Sequence, residues 1–263
     1  MPLILLAALS IGQSAPALSQ AQKPRAPYEP IPFQEGKDVV WVPTPPALVD
    51  KMLDIARVTK DDFVIDLGSG DGRIVIAAAR RGARALGVEF NPDLVELSRR
   101  DARKEGVGAR TSFVTADLFE TDFSRASVIT MFLLPSMMLT LRPKFLALKP
   151  GTRLVSNTFN LGQWKADDSV ALDAKTGCDA PHCTALLWIV PARVAGIHKL
   201  PGGEIVLLQE YQALTGSLTL NGSKVPLEGR VRGEEISFKA GGKDYRGRMN
   251  GKTLDISPSS PRH

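Results

Sequence analysis

The fold of this 263-residue chain is decided at Phe63-Val64-Ile65-Asp66-Leu67-Gly68-Ser69-Gly70-Asp71-Gly72-Arg73. Phe63 to Ile65 make a short apolar run, and a Gly-rich bend follows. Ile74 to Ala79 then begin a helical run that stops at Gly82. Strand, tight turn and helix is the geometry that aims backbone N–H groups at a ligand. A dinucleotide fingerprint reads G-x-G-x-x-G, with its third Gly where the helix packs on the strand. Here the glycines fall at 68, 70 and 72, and Arg73 occupies the third position. Asp66 also ends the strand just before the bend, where it would repel a pyrophosphate. That combination suits a cationic ligand.

Working outward, apolar runs ending in acidic residues recur. Ala85 to Val88 read as a second strand ending in Glu89, about 20 residues past the Gly loop, where a carboxylate accepts both hydroxyls of a ribose. Asn91-Pro92 opens a helix that carries Leu94, Val95 and Leu97 and stops at Gly106. Ser112 to Ala116 form a third strand ending in Asp117, placed to reach an adenine amino group. Val128 to Leu134 form a fourth, ending at Pro135, and Arg153 to Ser156 a fifth, leaving through Asn157, Thr158 and Phe159. Upstream, in V-W-V-P-T-P-P, Thr44 is a candidate helix cap with Pro45 in the first turn. The alternation predicts an α/β fold with a doubly wound, mostly parallel sheet that binds its ligand at the strand C-termini. Amine and sulfonium, ribose and adenine together make S-adenosylmethionine (SAM). Plainer readings exist for each residue: Asp66 as a turn cap, Glu89 as a solvated strand end, Asp117 as a turn former. Three carboxylates ending successive strands around one Gly loop favour the ligand.

The motifs D-L-G-S-G-D-G-R, G-V-E-F-N-P and A-D-L-F resemble those of class I SAM-dependent methyltransferases. With V-P-T-P before the first helix, F-L-L-P-S-M-M after the fourth strand and L-K-P-G-T-R-L-V-S in the fifth, residues 38–191 resemble a narrower group. These are bacterial relatives of the mitochondrial protein-lysine methyltransferases that act on the adenine nucleotide translocase and the ATP synthase c-subunit. The resemblance implies a Rossmann-like methyltransferase sheet and SAM as cofactor. It implies that Asp66, Gly68, Ser69 and Gly70 hold the methionine part, Glu89 the ribose, and Asp117 with Leu118 the adenine. Thr44 belongs to the same cofactor set. It also implies a protein lysine as methyl acceptor, with a small molecule or lipid, or SAM binding without turnover, as the other readings. Phe132, Phe159 and Trp164 are candidates for an apolar acceptor channel, or else core residues. Backbone carbonyls near Leu134-Pro135 are candidates to orient the amine. No general base stands out.

Residues 2–12 are apolar and Ser19-x-Ala21 is a small-x-small site, so residues 1–21 read as an export signal or membrane tether. No Lys or Arg precedes the apolar run, and the alternative is a cytoplasmic protein with a misassigned start. Export would bring the enzyme to the periplasm or envelope. Residues 22–37, rich in Pro and polar residues, read as a linker. Val170 to Leu172 and Thr184 to Val190 predict a hairpin closing the sheet, with both cysteines, Cys178 and Cys183, in its loop. A disulfide, free thiols or a metal pair are the readings; export favours the disulfide, and two Cys alone do not complete a zinc site. No metal is expected. Residues 192–257 predict a small antiparallel β appendage, with turns at Pro201-Gly202-Gly203, Thr215-Gly216, Asn221-Gly222, Arg232-Gly233, Gly241-Gly242 and Asn250-Gly251. About 65 residues bury too little to be stable alone, so the appendage should dock on the sheet domain. Residues 258–263 are a tail. The net charge of +5 comes without basic runs interleaved with aromatics, so no nucleic-acid partner is expected.

Overall fold

A computed structural model describes residues 28–36, 40–251 and 253–258. The predicted export segment, part of the predicted linker and residues 259–263 of the predicted tail lie outside the described residues, while Pro258 ends the last strand. The first half alternates as predicted: α1 (Pro46–Ile55), β1 (Phe63–Leu67), α2 (Arg73–Arg80), β2 (Arg84–Glu89), α3 (Pro92–Lys104), β3 (Thr111–Thr115), β4 (Val128–Met131), α4 (Pro135–Leu146) and β5 (Arg153–Asn157). Two more strands, β6 (Asp168–Ala171) and β7 (Thr184–Ile189), complete a seven-stranded sheet in the order β3-β2-β1-β4-β5-β7-β6. The first five run parallel, and β7 is antiparallel to both β5 and β6. β4 is wholly buried and β1 nearly so, as expected of central strands covered on both faces. α3 shows why its boundaries were legible. The Asn91 side chain accepts from Asp93 N at 2.9 Å, Pro92 takes the first turn, and Arg103 and Lys104 sit at the negative end of the helix dipole.

Two local expectations change. The N-cap of α1 is Pro45, which makes no side-chain cap bond; the first helical residue is Pro46, and Thr44 does not cap the helix. β4 ends at Met131, so Phe132, Leu133 and Leu134 are loop rather than strand. α4 recruits Leu134 as its N-cap, and the Leu134 carbonyl accepts from Met138 N at 3.0 Å. That carbonyl opens the helix and keeps a second lone pair.

The second half is a single meander: β8 (Gly196–Leu200), β9 (Gly203–Glu210), β10 (Ala213–Leu220), β11 (Ser223–Arg232), β12 (Glu235–Ala240), β13 (Lys243–Asn250) and β14 (Thr253–Pro258), each antiparallel to the next. One face buries Ile205, Leu207, Leu214, Leu218, Leu227, Val231, Ile236 and Phe238. Thr215-Gly216 is not a turn but lies within β10. A Cβ on Gly216 would stand 1.9 Å from the Val206 carbonyl oxygen, so glycine there permits close approach of β9. The β9–β10 turn falls instead at Tyr211-Gln212, with Tyr211 at φ 53.

The meander docks on the sheet domain. Tyr211 stacks on Trp164 with centroids 6.1 Å apart, and the Arg142 guanidinium lies 5.6 Å from the Tyr211 ring centroid. Gln212 Nε2 donates to the Lys165 carbonyl at 2.7 Å, Ala192 N to the Gly233 carbonyl at 2.7 Å, and Arg230 pairs with the buried Asp167 carboxylate. Trp164, fully buried, is thus an anchor between the two sheets. It is not a wall of an acceptor channel.

Cys178 and Cys183 are joined in a disulfide, with Cα atoms 5.9 Å apart. Closing so short a loop stabilises by about 2 kcal/mol in the chain-entropy model. Cys178→Ser should lower the melting temperature by several degrees, read by calorimetry, and leave SAM affinity unchanged. A loss of cofactor binding would show that the loop supports more than itself.

Candidate active site

The strand C-termini of β1, β2 and β4, together with residues 34–36 and 40–44, enclose a cleft of about 120 Å³ that is partly open to solvent. Gly68, Gly70 and Gly72 take φ values of 74°, 54° and 78°, a left-handed path open at low cost only to glycine. Its amides are spent internally. Gly68 N and Ser69 N donate to the Val88 carbonyl at 2.9 and 3.0 Å, Gly72 N to the Ser69 carbonyl at 2.9 Å, and Gly70 N to Glu89 Oε2 at 2.9 Å. A phosphate cradle needs those N–H groups free.

The charges agree with that reading. Asp66, Glu89 and Asp117 all line the cleft. Arg73 also lines the cleft but its charge is engaged: its Nη2 meets Asp71 Oδ2 at 2.5 Å, and its Nη1 donates to the Thr44 carbonyl at 2.8 Å. Asp66 is 2% exposed and accepts from Thr130 Oγ1 at 2.6 Å. Burial, above all, pushes its carboxyl up to about 7; the Thr130 hydrogen bond opposes this, and Asp71 and Glu89 add repulsion. A buried carboxyl poised near neutrality is relieved by a cation. Glu89 holds the loop as well as facing the cleft, because its Oε1 also accepts from Asn91 N at 2.9 Å. Asp117 Oδ1 accepts from Phe119 N at 2.9 Å, fixing the turn that presents Leu118. The donor set fits SAM: carboxylates toward a cation and a ribose, with apolar Leu118 and Leu133 beside them.

The structure brings Thr44, Asp66, Gly68, Ser69, Gly70, Glu89, Asp117, Leu118 and Phe132 to this one cleft. Ser69 contributes backbone only. Its hydroxyl is buried without a hydrogen-bond partner among the described residues and rests on Gly87, where a Cβ would come within 2.6 Å of it. Thr44 turns its hydroxyl toward Asn157 Nδ2, 3.4 Å away. Pro135 starts α4 outside the cleft. Phe159 is also off the cleft lining but stacks on Phe132 with centroids 5.9 Å apart.

Two groups escaped the sequence reading. Trp41 lies over the Gly loop, so that a Cβ on Gly70 would stand 2.5 Å from its indole nitrogen, and Gln34, Glu35 and Gly36 complete the same wall. Part of the stretch read as linker therefore belongs to the site. V-W-V-P-T-P-P held that signal, since its Trp directly precedes the V-P-T-P motif. His182 is the second: its ring packs on Phe132 and Phe159 at 5.5 and 5.3 Å.

A class I SAM-dependent methyltransferase is what this sheet order and this carboxylate-lined cleft define. The family model described as "ANTKMT methyltransferase domain" matches residues 66–168. A protein-lysine N-methyltransferase of Saccharolobus islandicus is 44% identical over 138 residues, covering 51% of this chain and 86% of that protein. The human lysine N-methyltransferase of the ATP synthase c-subunit is 36% identical over 162 residues, covering 57% of this chain and 69% of the relative. The structure of an RNA methyltransferase from Salinibacter ruber, solved with S-adenosyl-L-homocysteine, shares 45% identity and a TM-score of 0.54 over 58% of this chain and 96% of that one. The chain belongs to the family of ANTKMT-type methyltransferases.

Proposed function

We propose that this enzyme transfers a methyl group from SAM to the side-chain amine of a protein lysine. The observation that carries the reading is the apolar ring pair Phe132–Phe159 leading from the cofactor cleft. Bound SAM supplies a methyl already activated on sulfonium, so the protein's task is to position an amine and free its lone pair. A lysine with a pKa near 10.4 resists deprotonation at neutral pH by on the order of 4 kcal/mol. Phenyl walls shed water from the ammonium and lower that barrier. Asp66 offers a countercharge to the cofactor's cationic end, Glu89 acceptors to its ribose, and Asp117 with Leu118 a seat for its base. The names of the Saccharolobus and human relatives support a lysine acceptor.

Purified protein with methyl-labelled SAM and an envelope extract tests this. We expect label in protein bands, resistant to nuclease and recovered as methyl-lysine on hydrolysis. Label in RNA, or only in a small extractable product, overturns the lysine reading. We further propose an oxidising compartment, a reading supported by the Cys178–Cys183 bond and the apolar residues 2–12. Freely alkylated thiols in untreated cells would contradict it.

A further inference from the structure

His182 is a half-buried residue of the disulfide loop, packed behind the cofactor cleft rather than lining it. Its Nδ1 is sealed from solvent and has no hydrogen-bond partner among the described residues. An orphaned buried nitrogen is unfavourable, and a ligand that reaches it can supply the missing partner. The ring stands edge-on to Phe132 and tilted on Phe159, and Phe132 lines the cofactor cleft.

Two costly devices hold this trio together. Thr158, β-branched, sits at φ 61, a conformation such residues adopt only under constraint, at about 1–3 kcal/mol. It is kept there by Thr158 N donating to the Thr184 carbonyl at 2.7 Å and Oγ1 donating to Asn157 Oδ1 at 2.9 Å. The kink delivers Phe159 to the ring cluster. From the other side, the Cys178–Cys183 bond closes the loop that carries His182, with both sulfur-bearing residues buried. Among the described residues no cluster of three metal-binding groups exists, and both thiols are used in the disulfide, so a metal role for His182 has no support.

We propose that His182 is the acceptor-side base: its imidazole takes a hydrogen bond, then a proton, from the acceptor ammonium, and the disulfide loop sets its position. This rests on the amine-acceptor reading above. In the step, one ammonium N–H bond breaks and its proton forms a bond to the imidazole nitrogen lone pair. The electron pair left on the amine becomes the nucleophile, and the imidazolium returns the proton to water once the methylated product has left and solvent reaches the ring. Water exclusion by Phe132 and Phe159 lowers the amine's hold on its proton.

The chain has three histidines, His182, His198 and His263, so the imidazole resonances are assignable by substitution. The probe is Nα-acetyl-lysine methylamide, titrated into the full chain saturated with S-adenosyl-L-homocysteine and followed by ¹H–¹³C NMR. We expect the His182 ring signals to shift while those of His198 and His263 stay fixed. Phenyl signals that shift without His182 overturn the base but leave the lysine reading intact; no shift anywhere overturns both. For rates, His182→Phe keeps the aromatic packing and removes the nitrogens. Labelling of the wild-type acceptor bands should fall on the order of 10²-fold, with SAM affinity within about twofold of wild type. His182→Ala should fall similarly and recover in part with added imidazole. Wild-type labelling by His182→Phe shows that the ring only packs, and sinks the proposal.

Discussion

Asp66→Asn is expected to make the ligand-free protein more stable above pH 7 and to abolish SAM binding. The folded carboxyl is raised to about 7 from 3.8. Between those values the unfolded chain has shed its proton while the folded one retains it, so unfolding becomes easier as pH rises. The stabilising proton is fully effective below about pH 4 and is lost as pH rises through about 7, a change of about 4 kcal/mol. Asn carries no charge and keeps an oxygen for the Thr130 hydroxyl, so its melting temperature should stay level where the wild type declines. The same substitution removes the countercharge from the cofactor's cationic end, and titration calorimetry should detect no SAM binding. Wild-type binding near pH 6 should release a proton, visible as a heat that varies with buffer ionisation enthalpy. A level wild-type stability profile, or unchanged SAM affinity in Asp66→Asn, would falsify this account.

Glu89→Ala is expected to weaken SAM on the order of 10²-fold or more. An ionised carboxylate has about four acceptor positions. Two are taken by Gly70 N and Asn91 N, leaving two for ribose hydroxyls. Hydrogen bonds to a charged group are each worth about 1.5–3 kcal/mol, and the variant forfeits both while loosening the Gly loop. Glu89→Gln keeps one acceptor oxygen and should lie between. Binding at wild-type strength in Glu89→Ala would place the ribose elsewhere.

The local chemistry explains which parts of this molecule could be read from the sequence. Asn91-Pro92 and Gly106 bound α3 through caps that act over a few residues, and the carboxylates at 66, 89 and 117 follow from strands that end at one edge. Trp164 could not be placed that way. It is buried in the first sheet's core beside Trp188 and capped by Tyr211 from a turn of the other sheet, and neither residue's neighbours carry that information. Gly216 looked like a turn because glycine serves turns and crowded strands alike; only the Val206 carbonyl opposite tells them apart. Trp41 and His182 were hidden for a related reason. One reaches the site from a Pro-rich stretch and the other from a disulfide loop, and each gains its role only when the chain folds back on the cleft.

The way Trp41 reaches Gly70 has a kinetic consequence. Phe33 N donates to the Trp41 carbonyl at 2.8 Å and Trp41 N to the Gln34 carbonyl at 2.9 Å, with Phe33 left-handed at φ 67. Both bonds lie within this one wall of the cleft, joining residues 33 and 34 to residue 41, and loops that cover a site open on microsecond-to-millisecond timescales. Spent and fresh cofactor are expected to exchange past the Trp41 side of the cleft, while the Gly loop is fastened through the amides of residues 68, 69, 70 and 72. The first turnover should accordingly outrun those that follow. Rapid-quench labelling would show a burst equal to the enzyme concentration, and Trp41→Ala, which keeps those backbone bonds but removes the indole lying over Gly70, should flatten it.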